Sequence, residues 1–313
     1  MSSLLLIVRR SLRQHLLSTV VTILSVGLAT GLTMAVFGLS AQARDAFTGG
    51  PVGFDAVLGA RGSQQQLVLN TVFHMETSPG NIPWALYKEI AERPNVAVAI
   101  PYAVGDNYYG FRIVGTSDDI FSRFEYQKGK TFRVRSGGRP FDTSRREAVI
   151  GHSVAVATGL REGSTFNPYH GFEFDETQRH AAEYVVVGIL EPTYSPSDRV
   201  IWIPIEGVFR IDGHVLAGTG EAFEPVAGET IADEHKEVSA VMLRLRNARS
   251  GFFLEQEINK QGKVATLAFP IGAVMTKLFD KLGWVVRVLE LVAYLTMCVA
   301  AASILASIYN AMN

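Results

Sequence analysis

Two long stretches without charge dominate the hydropathy pattern of the chain. Residues 16–43 and residues 291–313 contain no Asp, Glu, Lys, Arg or His, which gives runs of 28 and 23 residues. A helix needs about 20 apolar residues to cross the hydrocarbon core of a bilayer. Both runs are long enough, so the pattern predicts two transmembrane helices, at 16–43 and at 288–313.

Basic residues before the first run predict its orientation. Arg9, Arg10 and Arg13 lie within residues 1–15, which contain no acidic residue. Because basic flanks stay on the cytoplasmic side, we expect a cytoplasmic amphipathic elbow there and cytoplasmic termini. The alternative is a signal peptide, since residues 41–43 match an A-x-A cleavage pattern. The apolar run is longer than the roughly 7–15 residues of a signal sequence, which favours an uncleaved anchor.

The region between the two runs has the composition of a folded extracytoplasmic domain. Residues 44–287 hold 26 basic and 29 acidic groups, and the net charge of the chain is -1, which argues against a nucleic-acid partner. Short β-rich runs mix with helical patterns, so we predict an α+β domain over 44–271. The predicted strands are 54–58, 67–73, 96–100, 111–115, 184–190, 200–204 and 239–245, and the predicted helices are 83–93, 153–158 and 251–261.

A predicted stalk helix, residues 272–287, leads from this domain into the second run. No proline occurs after residue 270, and apolar residues that include Leu278 and Leu282 recur at steps of three and four. We therefore expect one nearly continuous helix up to residue 312. Gly283 is its weakest position, and the sequence leaves open whether it is a hinge or a place of close packing against the first helix.

Small residues recur at four-residue spacing in both predicted spans. They are Gly27, Gly31 and Ala35 in the first span, and Ala302 and Ala306 in the second. Small side chains let helix backbones approach closely in a membrane, so these positions are predicted helix-packing faces. The alternative is that such residues are simply common in membrane helices.

Sequence motifs for catalysis or nucleotide binding are absent. Residues 129–131 match the end of a P-loop, but Phe124 stands where the first glycine is needed. Residues 218–220 begin a dinucleotide fingerprint, but Phe223 takes the place of its third glycine. No Gly-x-Ser-x-Gly or His-Glu-x-x-His sequence occurs. We therefore predict a non-catalytic protein without a directly bound cofactor.

Metal-ligand side chains concentrate in a predicted loop between residues 212 and 237. His214, Asp233 and His235 are weak candidate ligands there. A solvated acidic loop is the interpretation that we favour, so the domain is expected to fold without metal. Cys298, the single cysteine, excludes a disulfide within the chain and a Cys-rich metal site. We interpret it as a packing residue of the second span.

Four segments resemble permeases of the MacB/FtsX type (type VII) of ABC transporters, in the order in which that family has them. Residues 9–15 (RRSLRQH) and 22–28 (TILSVGL) look like the elbow and the first helix. Residues 54–60 (FDAVLGA) are similar to the first periplasmic strand, and residues 300–310 (AAASILASIYN) to the inner part of the second helix.

This resemblance implies a fold, partners and a location. We expect a MacB-like core domain on the periplasmic side of a bacterial inner membrane, in a multi-pass permease. A separate cytoplasmic ABC ATPase would use the ATP, and the permease would form a homodimer or pair with a second permease. ATP-driven motion would reach the periplasmic domain by mechanotransmission and serve the export or extraction of a substrate. Family members have four membrane helices, so a third and a fourth are expected beyond residue 313, and the chain is expected to be truncated.

Two other functions stay open at this stage. One is a non-transporting, FtsX-like regulator of a periplasmic partner protein. The other is a membrane-anchored binding domain, for example for a metal held by the loop with His214 and His235.

Overall fold

The computed structural model describes residues 8–10, 13–44, 53–127, 129–212, 214, 216–218 and 231–312. Residues 1–7 and 11–12 of the predicted elbow and most of the predicted loop at 212–237 lie outside this description. The chain divides into two compact units. One comprises Met1–Gly49 and Thr276–Asn313, and the other is Gly50–Met275.

Eight α-helices occur in the described residues. They are α1 (Leu16–Arg44), α2 (Gln64–Thr71), α3 (Trp84–Ala91), α4 (Asp119–Ser122), α5 (His152–Thr158), α6 (Ile205–Phe209), α7 (Ala248–Gln256) and α8 (Ile271–Met312). Short 3-10 turns and one π-helical turn lie between them. The 3-10 turns are Glu176–Gln178, Pro196–Arg199 and Asp233–His235, and the π-helical turn is Glu257–Gln261.

The second unit is built on one mixed ten-stranded sheet with two small additions. The strands are β1 (Ala56–Ala60), β2 (Ile82–Pro83), β3 (Val96–Tyr108), β4 (Phe111–Thr116), β5 (Glu125–Gln127), β6 (Lys130–Thr131), β7 (Glu147–Ile150), β8 (Thr165–Phe166), β9 (Tyr169–His170), β10 (Tyr184–Ile189), β11 (Val200–Pro204), β12 (Glu237–Val238), β13 (Ala240–Leu245) and β14 (Ala265–Ala268). Their order is β14-β1-β13-β3-β4-β11-β7-β10-β8, with β9 on β3, while β2–β12 and β5–β6 form separate pairs. The predicted α+β class is confirmed.

The first and the last strand of this unit lie side by side. Strands β1 and β14 pair antiparallel, with Val57 opposite Ala268 and Ala60 opposite Ala265. Next to this pair, the backbone N–H of Ile271, the first residue of α8, donates to the carbonyl of Asp55 at 3.4 Å. The strand that opens the unit therefore sits directly beside the strand that leads into α8.

The centre of the core lies around strand β11. All five of its residues are buried, and Trp202 is 1% exposed. The Trp202 ring contacts the rings of Tyr102, Phe132 and His74 at centroid distances of 5.8, 5.7 and 5.9 Å. Strand β11 pairs with β4 on one side and β7 on the other, and its side chains are buried on both faces of the sheet, which explains its continuous apolar sequence.

The predicted strand at 67–73 is wrong, because these residues begin within helix α2. The backbone N–H of Gln66 donates to Oγ of Ser63, which is an N-cap. Leu67 and Val68 are then fully buried as neighbours on the inner face of the helix. The Ser-x-x-Gln spacing of residues 63–66 is the capping-box pattern, which indicates the start of a helix. This signal outweighs the apolar run at 67–73, which alone suggested a strand.

An ion pair between the half-exposed Arg139 and the buried Glu147, at the start of β7, makes the stability of the domain depend on pH. Both guanidinium nitrogens of Arg139 donate to the Glu147 carboxylate at 2.6 Å, and the Asp142 N–H donates to it at 2.9 Å. These hydrogen bonds lower the pKa of Glu147, against the opposing effect of its burial. The stabilisation is therefore present above the ordinary glutamate pKa near 4.5 and is lost as the pH falls through the lower folded-state value.

We expect Glu147→Gln to lower the melting temperature at pH 7 by roughly 3–6 °C. The difference from wild type should shrink as the pH falls below the ordinary glutamate pKa near 4.5, because protonation of Glu147 in the unfolded chain then favours unfolding of the wild type. Thermal melts of the full chain in detergent, followed by tryptophan fluorescence, measure both effects. A difference of the same size at pH 3 and pH 7 would contradict the assignment.

The helical unit consists of two long apolar helices. Leu16–Gln42 of α1 and Gly283–Ala306 of α8 are long and apolar enough to cross a membrane. Only 6% and 11% of their most apolar windows are buried, so neither is a core helix of the described fold. The helices contact each other at Phe37 and Tyr294, whose rings lie 6.3 Å apart. Apolar side chains thus face outward along both helices, as lipid-facing helices require.

Candidate functional site

Strand β3 changes its partner next to the residue at the centre of the candidate site. Up to Tyr102 it pairs with β13, and a bulge between Val104 and Asp106 shifts its register against β4. Beyond the bulge β3 pairs with β9, which places Asp106 directly opposite His170. Bulges redirect side chains, and side chains directly opposite on paired strands lie on one face of the sheet. The two side chains therefore meet.

Two further histidines reach Asp106 from segments that follow β9 and α6. The N–H of His180 donates to the carbonyl of Pro168 at 2.9 Å, which holds the segment after the first 3-10 turn against β9. His214 follows helix α6, and its Nδ1 lies 3.0 Å from the carbonyl of Val208. Four separate segments of the domain therefore supply the four side chains.

The three imidazole rings surround one oxygen of Asp106. Oδ1 lies 3.4 Å from Nδ1 of His170, 3.3 Å from Nε2 of His180 and 3.2 Å from Nε2 of His214. The ring centroids are 5.2–5.5 Å apart, so the rings form a nearly equilateral triangle. Asp106 and His180 are 2% and 8% exposed, whereas the side chain of His170 is 54% exposed. We call these four residues the Asp106 cluster.

The charges of the cluster follow from its contacts. Burial alone would raise the pKa of Asp106, but hydrogen bonds from the three histidines outweigh it and lower that pKa well below the ordinary value. The hydrogen bond to Asp106 in turn raises the pKa of His170, against the smaller effect of its burial. Asp106 is therefore an ionised, buried carboxylate at neutral pH. Within the described residues, these three imidazoles are the side chains in contact with its carboxylate.

This set of donor atoms could hold a metal ion. One ligand atom from each residue of the cluster lies within 4.8 Å of the other three. Imidazole nitrogen with one carboxylate oxygen suits zinc and neighbouring transition metals. A cleft of about 340 Å³, lined by Gly105, His170 and His214 among others, opens beside the cluster.

The structure separates the three metal candidates of the sequence. His214 belongs to the cluster, but Asp233 forms ion pairs with Lys88 at 2.7 Å and with Lys236 at 3.2 Å. His235 lines the same cleft, yet its Nδ1 lies 2.9 Å from the carbonyl of Ala217. The loop therefore contributes one ligand and not three. Asp106, His170 and His180 were missed because they lie outside the loop, and only the β3–β9 pairing brings them to His214.

The predicted helix-packing residues do not meet each other in the described helix pair. Gly27, Gly31, Ala35, Ala302 and Ala306 are all exposed. A Cβ atom added at either glycine would meet nothing within 4 Å. Their packing against other helices stays a prediction.

Other small residues form the buried part of the helix pair. Ala29, Ala293 and Ala300 are 5%, 0% and 7% exposed. Cys298 is exposed on α8, so our interpretation of it as a packing residue does not hold for this pair.

The predicted stalk residues lie in an uninterrupted helix. Leu278 is half-buried in α8, and the helix continues through Gly283. A Cβ atom at Gly283 would meet no described atom within 4 Å, so Gly283 packs closely against none of the described residues, and its function as a hinge stays a prediction. Leu282 belongs to the same helix, and its side chain lies outside the described residues.

Comparison with known proteins decides the family. The sequence matches the MacB-like periplasmic core domain over residues 16–267, which is most of the chain. The chain belongs to the MacB-like family. No curated protein matches the sequence.

Two solved structures of such domains resemble the fold. The periplasmic region of MacB from Actinobacillus actinomycetemcomitans shares 9% identity at a TM-score of 0.42, covering 73% of this chain and 94% of that one. The extracellular domain of the noncanonic ABC-type transporter YknZ from Gram-positive bacteria shares 14% identity at a TM-score of 0.36, covering 67% and 97%.

Membership of the MacB-like family confirms the resemblance seen in the sequence. The family is a non-catalytic membrane component of ABC transporters and works with a cytoplasmic ABC ATPase. In this chain, two apolar helices flank the MacB-like domain.

Proposed function

We propose that this chain is a permease subunit that couples ATP hydrolysis by a separate cytoplasmic ATPase to movement of its periplasmic domain. The observation that carries the proposal is helix α8. It begins three residues after β14 and continues for 42 residues to Met312 without interruption. A helix of that length spans about 60 Å, so one rigid element belongs both to the domain and to the predicted membrane span.

The charges of the described residues support a mechanical function. The catalytic motifs sought in the sequence are absent, and many ionic side chains of the domain are engaged in ion pairs with each other. Arg93, for example, donates to Glu257 and to Glu89 at 2.8 Å. Arg93 thus links helix α3 to the π-helical turn, two segments that would move together if the domain moves as a body.

The orientation of this arrangement is testable by reporter fusions. We expect alkaline phosphatase inserted after Gly137 to be active, because the domain lies outside the cytoplasm. Gly137 has a positive φ of 104° in the turn before Arg139, so an insertion there interrupts no strand. Green fluorescent protein fused after Asn313 should fluoresce, because that end faces the cytoplasm. An inactive phosphatase together with a non-fluorescent fusion would reverse the topology.

Capture of the partner tests the function itself. The full-length protein, solubilised from its native membrane with a C-terminal affinity tag, should bring down an ABC ATPase detectable by mass spectrometry. A second permease, or a second copy of the chain, is expected in the same complex. Recovery of a periplasmic hydrolase without any ATPase would contradict the proposal and favour a regulator.

A further inference from the structure

We propose that Asp106, His170, His180 and His214 form a binding site for a divalent ion of the zinc class in the periplasmic domain. The inference goes beyond the proposed transport function and does not depend on it. It rests on the hydrogen-bond contacts of His214, on the distances between Asp106 and the three histidines, and on the burial of Asp106.

The hydrogen-bond contacts of His214 require a positive charge beside Asp106. Its Nδ1 faces the carbonyl of Val208, which can only accept, so Nδ1 must carry the hydrogen. In the neutral ring, Nε2 then presents a lone pair to Oδ1 of Asp106 at 3.2 Å. Two acceptors at that distance repel each other, so either an added proton on Nε2, which makes the ring cationic, or a metal ion must lie between them. A metal-binding imidazole whose other N–H donates to a carbonyl is the usual arrangement around a bound metal.

The distances from Asp106 to the three histidines match those of a tetrahedral shell, and the ligand atoms of the histidines lie within 4.8 Å of one another. Zinc binds imidazole nitrogen and carboxylate oxygen at about 2.0–2.1 Å, so the ligand atoms of a tetrahedral site lie about 3.3 Å apart. The three distances from Oδ1 of Asp106 to the histidine nitrogens are 3.2, 3.3 and 3.4 Å. The rings also stand at steep angles of 64–87° to one another, as nitrogens that converge on one centre require.

The second oxygen of Asp106 is an independent sign of a missing partner. Oδ2 is buried and forms no hydrogen bond with the described residues. A buried polar atom without a partner is costly, and more so in an ionised group. Arginine or lysine would be the usual protein partner, but among the described residues the side chains that contact Asp106 in this way are histidines only. A bound divalent cation would neutralise this carboxylate.

The chemistry of the four side chains favours zinc over calcium and magnesium. Calcium and magnesium prefer shells of oxygen atoms, whereas three imidazoles and one carboxylate suit zinc. Four protein ligands complete a tetrahedron and leave no position for a reacting water, so the ion would be held rather than used in catalysis. The exposed ring of His170 and the adjoining cleft provide its way in.

A bound ion would join four segments of the domain that are far apart in sequence. Asp106 and His170 lie on strands β3 and β9, His180 follows the first 3-10 turn, and His214 follows α6. Because the ion binds the folded site and not the separated ligands, it should raise the melting temperature of the domain.

A metal titration tests the site. The full chain is purified in detergent without a polyhistidine tag, treated with a chelator, desalted, and titrated with Zn²⁺ against a chromophoric zinc indicator. We expect one equivalent of Zn²⁺ per chain, and a higher melting temperature with Zn²⁺ but not with Mg²⁺ or Ca²⁺. His170→Gln should weaken zinc binding by on the order of 100-fold or more. Its exposed side chain makes this the variant of the cluster best suited to fold normally.

His235→Gln is the matched control, because His235 lines the same cleft without belonging to the cluster. It should bind Zn²⁺ like wild type. Co²⁺ in the wild-type protein should give the intense visible bands of a tetrahedral site, a readout that needs no variant. Absence of zinc binding by wild type, equal binding by folded His170→Gln, or a weak octahedral cobalt spectrum would each overturn the proposal.

Discussion

Leu282→Pro is expected to abolish the periplasmic output of the transporter while its ATPase partner continues to hydrolyse ATP. Proline removes one backbone hydrogen bond of α8 and clashes with the carbonyl four residues earlier, at a cost of about 3 kcal/mol or more. Position 282 lies next to Gly283, where the part of α8 that is long and apolar enough to cross a membrane begins. A kink there would interrupt the one helix that belongs to both units, without touching any residue of the sheet.

The experiment compares ATP hydrolysis and substrate export in the reconstituted complex. Leu282→Ala is the matched control, because alanine shortens the side chain but favours the helix. Wild-type export by a correctly inserted Leu282→Pro variant would refute the mechanical function of α8. Loss of both hydrolysis and export would instead indicate that the subunits fail to assemble, which insertion assays and co-purification detect separately.

Trp202→Ala is expected to destabilise the periplasmic domain more than any surface substitution. Trp202 lies in the centre of the sheet, 1% exposed and surrounded by aromatic rings. Truncating a buried tryptophan to alanine costs about 3–5 kcal/mol, which is a large share of a typical stability of about 5–15 kcal/mol. Melts of the full chain in detergent should show a loss of roughly 10 °C or more.

The matched variant is Trp202→Phe, which keeps most of the ring. The indole Nε1 of Trp202 is buried without a hydrogen-bond partner among the described residues, so phenylalanine removes an unsatisfied donor together with some volume. We expect Trp202→Phe to lose much less stability than Trp202→Ala. Because Trp202 is itself a fluorophore, circular dichroism is the better probe for this pair. Equal losses would mean that the indole N–H has a partner.

Local sequence signals were sufficient for the long elements of this chain. The uncharged runs and the absence of proline after residue 270 predicted two long apolar helices, and α8 is indeed uninterrupted. The strand at 200–204 was predicted correctly because a fully buried strand is apolar at every position. Residues 67–73 were misassigned because a short apolar run fits a strand or a buried helix equally, and here the cap at Ser63 decides.

The Asp106 cluster could not be found by reading along the chain. Its ligands are separated by 64, 10 and 34 positions, and none of these spacings belongs to a known metal motif. The single cysteine excludes Cys-rich sites but not sites of histidine and aspartate. Of the four residues of the cluster, only His214 lies in the acidic loop where the sequence predicted candidate ligands. The missing information is tertiary, because the bulge near Gly105 and the pairing of β3 with β9 decide which side chains meet.

The pairing of β1 with β14 determines how the domain responds to force. The pair is antiparallel, and the end of β1 nearest α1 lies opposite the end of β14 nearest α8. A force that separates these two ends would therefore break the hydrogen bonds between β1 and β14 one after another, starting from the loaded end. A force applied to both ends in the same direction would leave these hydrogen bonds intact and move the two strands together. We therefore predict that the domain resists force applied to both ends in one direction better than force that separates them.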